Sequence, residues 1–123
     1  EYQVWADKGK MEQVLDNLIG NAGKHVCPGG IIRVTLDKEE EYLRFGVYNQ
    51  GESIGEEELS RIWDKFYRIA GKRTQGAGLG LAIAAGILKL HGWQYGARNR
   101  EEGVEFYFYA PLHHALGSSK CPI

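Results

Sequence analysis

The 123 residues contain only two cysteines and three prolines. Cys27 and Cys121 are too few for a disulfide scaffold and lack metal-ligand spacing, so they read as free thiols of a reducing cytosol. Scarce proline excludes collagen-like repeats and Pro/Gly low-complexity sequence. No stretch approaches the ~18 consecutive apolar residues of a membrane span, and no signal peptide opens the chain. Neither sign of charge dominates. Lys and Arg total 15 against 16 Asp and Glu, a net charge of -1. That balance argues against a broadly basic nucleic-acid binder and a polybasic membrane clamp. The chain begins at Glu1 rather than Met, as expected of a fragment of something longer.

What the sequence does have is a core and a surplus of glycine. Hydrophobic residues make up 43% and charged residues 25%, ordinary for one domain that buries its apolar surface. Glycine occurs 17 times, about twice the average frequency. Tyr2–Ala6 reads as a short strand followed by Asp7, a helix cap. Met11, Val14, Leu15, Leu18, Ile19 and Ala22 form one face of an amphipathic helix that should end near Val26, before Cys27-Pro28-Gly29-Gly30. Ile32, Val34 and Leu36, then Leu43, Phe45 and Val47, alternate with polar residues and predict two half-buried strands. Ser53-x-x-Glu56 is a capping-box pattern before a second helical stripe of Leu59, Ile62, Trp63 and Phe66. Residues 67–75 show neither period. A third helix follows from Leu79 through Leu90, nearly uncharged and therefore expected to be buried on most sides. Trp93–Asn99 and Val104–Ala110 predict a closing hairpin, and the tail from His113 onward reads as disordered. Hairpin-linked strands with helices between them imply an α+β, two-layer sandwich: a mainly antiparallel mixed sheet with about three helices on one face.

Three groups of residues can carry chemistry. Asn17 and Asn21 lie one turn apart on the first helix, beside Lys24. Amide oxygens suit a hard cation and a lysine suits phosphate, although the same face alone reads more readily as a solvated one. Gly76-Ala77-Gly78-Leu79-Gly80-Leu81 precedes the third helix, where backbone N–H groups and the helix dipole attract anions. A dinucleotide fingerprint would need glycine where Leu81 stands, and no G-x-x-x-x-G-K-S/T occurs, so the loop by itself is either a phosphate cradle or a helix-entry turn. Asn49-Gln50-Gly51-Glu52-Ser53-Ile54 ends a strand, where an asparagine can bond a base edge and Gly51 can admit a flat ring; it is also ordinary turn chemistry.

In this order, Asn17-x-x-x-Asn21, Asn49-x-Gly51, Phe66-Tyr67-Arg68 and Gly76-Ala77-Gly78-Leu79-Gly80-Leu81 resemble the catalytic and ATP-binding domain of sensor histidine kinases. These belong to the Bergerat-fold (GHKL) ATPase and kinase superfamily. The resemblance covers residues 2–112, with the domain itself expected at 1–112 and the tail at 113–123. It implies that Asn21 ligates the Mg2+ bridging the ATP phosphates, that Asn17 supports it, and that Lys24 meets phosphate. His25 falls where the family borders the adenine, and Ile54 lies in the segment after Asn49. The usual D-x-G-x-G of that segment is altered here: Asn49 replaces the acid that accepts the adenine amino group, and Ser53 replaces the second glycine. An asparagine carbonyl can still accept that bond without the charge. Ile62, Trp63, Phe66 and Tyr67 resemble the family's aromatic box, read as core and lid anchors. Arg68, Lys72 and Arg73 lie in a stretch resembling a shortened ATP lid, and Gly76, Ala77, Gly78, Leu79, Gly80 and Leu81 match the glycine box that holds the triphosphate.

Hydrolysing members of the superfamily generally carry a glutamate one turn before the metal asparagine. Here that position is Asn17, which favours phosphoryl transfer over hydrolysis. None of His25, His91, His113 and His114 lies in a phosphoacceptor-like motif. The resemblance therefore implies an upstream dimerisation and phosphoacceptor domain, a response regulator, and a homodimeric parent protein of a family that is often membrane-anchored through segments upstream. This domain itself is expected in the cytoplasm, in contact with neither membrane nor nucleic acid.

Overall fold

Asp7 starts the first helix: its side chain accepts a hydrogen bond from the Lys10 amide at 2.9 Å, satisfying one of the donors a helix start leaves open. The computed structural model describes residues 3–65 and 79–113. Helix α1 spans Lys8–His25 and buries the predicted stripe at Met11, Val14, Leu18 and Ala22. It stops where proline and glycine follow, and the chain is immediately tied to the sheet by the Cys27 amide, which donates to the Gln50 carbonyl at 2.9 Å.

Four strands follow the predicted alternation: β1 (Ile32–Glu39), β2 (Tyr42–Gln50), β3 (Tyr95–Arg100) and β4 (Gly103–Pro111). All pairs are antiparallel, in the order β1-β2-β4-β3. Each hairpin turns through two residues, with Glu40 and Glu102 at φ of 56° and 59°. Helix α2 (Gly80–His91) packs beside α1. Their buried faces meet Val47, Phe106, Phe108 and Ala110 on one side of the sheet, where Trp93 stacks on Phe108 and the Trp63 ring meets Phe106 edge-on.

The structure corrects four expectations. Of the strand expected at Tyr2–Ala6, the described residues from Gln3 on form one bridge, Val4 with Leu112. Strand β4 is already paired on both edges, so only its extension past Pro111 remains available. The helix expected after Ser53 is a 3-10 turn at Glu56–Glu58 capped by Gly55 without a side-chain bond, so the described residues hold two α-helices rather than about three. The bonds from Glu58 to Gly55, Arg61 to Glu58 and Asp64 to Arg61 are of the tighter kind, with a single α-type bond from Ile62 to Glu58 among them, and Ile62 and Trp63 reach the core without a regular helix. Helix α2 is covered by α1 and the sheet but not around its circumference: Leu90 is 85% exposed and Ile83 is also exposed. The apolar residues of β1, Ile32, Val34 and Leu36, are exposed because α1 packs over β2 and this edge strand lies beyond it. The predicted Phe66, Tyr67, Arg68, Lys72, Arg73, Gly76, Ala77 and Gly78, and the tail beyond His113, lie outside the described residues.

The sheet's other face carries a feature without a sequence signature. Glu105 and Arg44 are 4% and 6% exposed although no helix among the described residues covers them. Glu105 accepts bonds from Arg44 Nη1 and Nη2 at 3.1 and 2.9 Å, from Arg98 Nε at 3.0 Å and from Arg100 Nη1 at 3.1 Å. The rings of Tyr107 and Tyr109 lie 4.7 and 5.9 Å from the Arg44 guanidinium and help shield the pair. Gly46 makes the arrangement possible: a Cβ there would stand 2.5 Å from Glu105 Oε2 and 3.1 Å from Arg44 Nη1. Burial pushes the Glu105 carboxyl up, but the bonds and charge of Arg44, and then of Arg98, outweigh it and hold the group at about 2. The bond to Glu105 raises Arg44 further above its ordinary value, against the opposing effect of burial.

Candidate functional site

Along α1, from Asn17 towards His25, the helix leaves its apolar stripe and presents amides. Asn17 and Asn21 are half-buried, and the Nδ2 of each is fully enclosed with no hydrogen-bond partner. Lys24 and His25 are exposed on the last turn. On β2 the core-facing row Phe45, Val47 ends in Asn49, which is 3% exposed. Its Nδ2 donates to the Gln50 carbonyl at 3.3 Å, while its Oδ1 is buried and accepts nothing. Four buried side-chain polar atoms lack a partner among the described residues, and three of them belong to these asparagines; the fourth is Nε1 of Trp63. An unsatisfied buried polar atom costs on the order of 1–3 kcal/mol, so three near one helix and one strand end call for partners beyond the described residues.

The fold brings these residues together at both ends of the α1 segment. Gly80 opens α2 directly over Asn17: a Cβ at Gly80 would lie 3.7 Å from Asn17 Oδ1. The start of α2 has no side-chain cap and no acid in its first turn, so its free N–H groups and positive dipole end suit an anion. Leu79 and Leu81 flank Gly80, both half-buried, with Leu81 packed against the core. At the other end, Gly51 follows Asn49 beside the α1 terminus. A Cβ at position 51 would stand 2.8 Å from the His25 carbonyl oxygen and 3.4 Å from Asn49 Nδ2. The approach of α1 requires glycine there, whether or not the position also admits a flat ring. From Asn17 to His25 the helix rises about 12 Å, giving an elongated site with an anion-attracting end and an amide-acceptor end.

Sequence reasoning missed Asn99. On β3 its Oδ1 accepts from the Ile54 amide at 2.8 Å, and its Nδ2 donates to the Ile54 carbonyl at 2.7 Å. Asn99 pairs with Val104, and Val104 pairs with Asn49, so the two asparagines occupy one row across three strands. The available signal was a polar residue in line with the inward positions Tyr95 and Ala97, of a type disfavoured in strands.

The donor set is specific about what it can hold. A buried, unpartnered carbonyl acceptor at Asn49 suits an exocyclic amine on a planar base. Amide N–H donors and the α2 terminus suit phosphate oxygens. The oxygen of Asn21 can take one position of a hard cation whose other ligands are phosphate and water, a common Mg2+ pattern. Among the described residues no group of three or more His, Cys, Asp or Glu could hold a metal by itself. Residues 6–114 match the histidine kinase-, DNA gyrase B-, and HSP90-like ATPases.

The chain belongs to that family.

Within the family it corresponds to the ATP-binding catalytic domain of sensor histidine kinases, the kinases of two-component systems. It is 38% identical over 114 residues to the sensor histidine kinase WalK of Bacillus subtilis strain 168, covering 88% of this chain and 19% of WalK. The chain thus spans about a fifth of that relative. The solved catalytic domain of the histidine kinase ThkA superposes with a TM-score of 0.76 at 36% identity, over 86% of this chain and 68% of that one. Full-length ShkA in complex with AMPPNP superposes at 0.78 with 32% identity, over 94% of this chain and 24% of that one. ThkA in complex with the response regulator protein TrrA gives 0.73 at 33% identity, over 88% of this chain and 30% of that one. No helix among the described residues is long and apolar enough to cross a membrane.

Proposed function

We propose that this domain binds Mg2+·ATP along α1 and presents the γ-phosphoryl group to a histidine on a dimerisation domain outside the chain. The observation that carries the reading is the set of buried, unpartnered amide atoms on Asn17, Asn21 and Asn49. Asn49 Oδ1 accepts the adenine amino group, with His25 and Ile54 bordering the ring. Asn21 gives its oxygen to Mg2+ and its N–H to a phosphate oxygen, Asn17 supports the same phosphates, and Lys24 adds charge. The α2 terminus with Leu79, Gly80 and Leu81, together with Gly76, Ala77 and Gly78 before it, receives the triphosphate by its backbone; Arg68, Lys72 and Arg73 supply lid cations. Bound Mg2+ neutralises charge on the phosphates, and the residues named do the positioning, which is most of what phosphoryl transfer asks of a protein.

Asn17 favours transfer over hydrolysis. An amide cannot deprotonate water as a carboxylate can, so the site lacks at that position the base that would spend ATP on solvent. In the parent protein, a homodimer that keeps this domain in the cytoplasm, a response regulator then takes the phosphoryl group from the histidine; the ThkA complex with a response regulator supports that partnership.

Calorimetric titration of Asn21→Ala with Mg2+·ATP tests the assignment. The expected result is a loss of Mg2+-dependent affinity of more than about tenfold with an unchanged circular dichroism spectrum; unchanged affinity overturns the metal-ligand role. The chain alone is expected to show no steady ATP turnover, and restoring the upstream segment is expected to yield labelled phosphohistidine. Sustained turnover by the isolated domain would identify a hydrolase instead.

A further inference from the structure

The segment after β2 does not follow the sheet. It leaves the strand at Gln50, passes the β4 hairpin, where the Gly51 amide donates to the Glu102 carbonyl at 3.0 Å, and ends its crossing on β3. There Asn99 holds both backbone polar groups of Ile54, at 2.8 and 2.7 Å, from 45 residues away. Ile54 is half-buried and packs against the core. The crossing begins at one asparagine of the row Asn49–Val104–Asn99 and ends at the other. Neighbouring strands are about 4.8 Å apart, so the two asparagines stand about 10 Å apart on the core-facing side. One has a free acceptor; the other has both amide groups committed to the segment that spans the gap.

We propose that Asn99 is a positioning residue for the purine pocket: by clamping the Ile54 backbone it fixes the wall opposite Asn49 and sets the pocket's width. The inference rests on the nucleotide reading above and adds a residue to it. Asn99 touches no nucleotide. Its amide supplies one acceptor and one donor in the spacing of a peptide group, so it pairs with Ile54 as a neighbouring strand would. Without it, the backbone polar groups of Ile54 lose both partners, leaving the side chain's core packing and the turns of residues 55–59 to hold the segment, and the pocket loses its width rather than its chemistry.

The test separates base binding from phosphate binding. Using the 123-residue chain, affinities for Mg2+·ATP and Mg2+·tripolyphosphate are measured for the wild type, Asn99→Ala and Asn99→Asp, with thermal unfolding recorded alongside. Loss of a two-bond clamp predicts that Asn99→Ala weakens ATP binding about tenfold. Tripolyphosphate, which has no base, should stay within about twofold. Asn99→Asp has the same shape and keeps the bond from the Ile54 amide but faces the Ile54 carbonyl with a second acceptor. It should lose ATP affinity while folded, and it carries the test if the alanine variant does not fold. Unchanged ATP affinity in a folded variant, or equal losses for both probes, overturns the positioning role while leaving the nucleotide reading intact. A wild-type chain that binds tripolyphosphate no more weakly than ATP overturns both.

Discussion

Replacing Glu105 with glutamine keeps the shape of the side chain and removes its charge. In the wild type this carboxylate is 4% exposed and accepts four bonds from three arginines. Arg98 and Arg100 are about half exposed and can turn to water, so their share is screened and small. Arg44 cannot: its side chain is 8% exposed beneath Tyr107 and Tyr109. Two routes give the cost. Breaking a buried pair by removing one partner costs about 3–5 kcal/mol, because the remaining charge is left uncompensated. Separately, a carboxyl held at about 2 instead of 4.5 corresponds to about 3 kcal/mol of folding free energy. Taking the lower figure and roughly 4 °C per kcal/mol for a domain of this size, Glu105→Gln should lower Tm by about 12 °C at neutral pH. The pH dependence has a definite sign. Because the folded-state value is lowered, the contribution is complete above pH 4.5 and disappears as pH falls towards 2. Urea unfolding between pH 3 and 7 should therefore show the wild type losing stability in acid more steeply than the variant, with the two curves converging. The double variant Arg44→Met/Glu105→Leu, which removes both charges, should recover most of the loss. A Glu105→Gln variant within about 1 kcal/mol of wild type, or one keeping the full acid slope, would refute the reasoning.

Three further substitutions test how the elements around the site are assembled. Gly51→Ala places a methyl 2.8 Å from the His25 carbonyl and should cost about 1–3 kcal/mol in urea unfolding by pushing the α1 terminus off β2; an unchanged midpoint would mean that the approach is not tight. Leu18→Ala, at a fully buried position, should cost about 2–5 kcal/mol, whereas Leu90→Ala, 85% exposed, should stay within about 0.5 kcal/mol; similar losses at both would place α2 differently from the structure.

The parts of the site that sit on one element could be read without coordinates. Asn17 and Asn21 share a helix face because four residues make nearly one turn, and the apolar stripe beside them fixes which way they point. Asn49 ends an alternating strand, so its inward direction follows from Phe45 and Val47. Gly80 heads a helix whose start is marked by glycines. The deviations arose where two elements compete for one stretch of chain. The capping-box pattern at Ser53 is locally sound, but Ile54 is held from β3 and Trp63 is drawn into the core, and the segment satisfies both as a series of turns. Position 51 needs glycine because of a carbonyl on α1, which no strand pattern contains.

The sequence by itself determined the local periodicities, the two hairpin turns, the order of the motifs and the family they resemble, since each depends on residues a few positions apart. Tertiary structure alone decided which strands are neighbours. Only the order β1-β2-β4-β3 puts Asn99 in line with Asn49, and only that order brings Glu105 to Arg44, 61 residues away, and buries both on a face the helices do not cover. Contacts at such separation depend on how the sheet is wound, and the winding minimises exposed apolar surface and unpaired backbone over the whole chain at once. No window of neighbouring residues contains that sum.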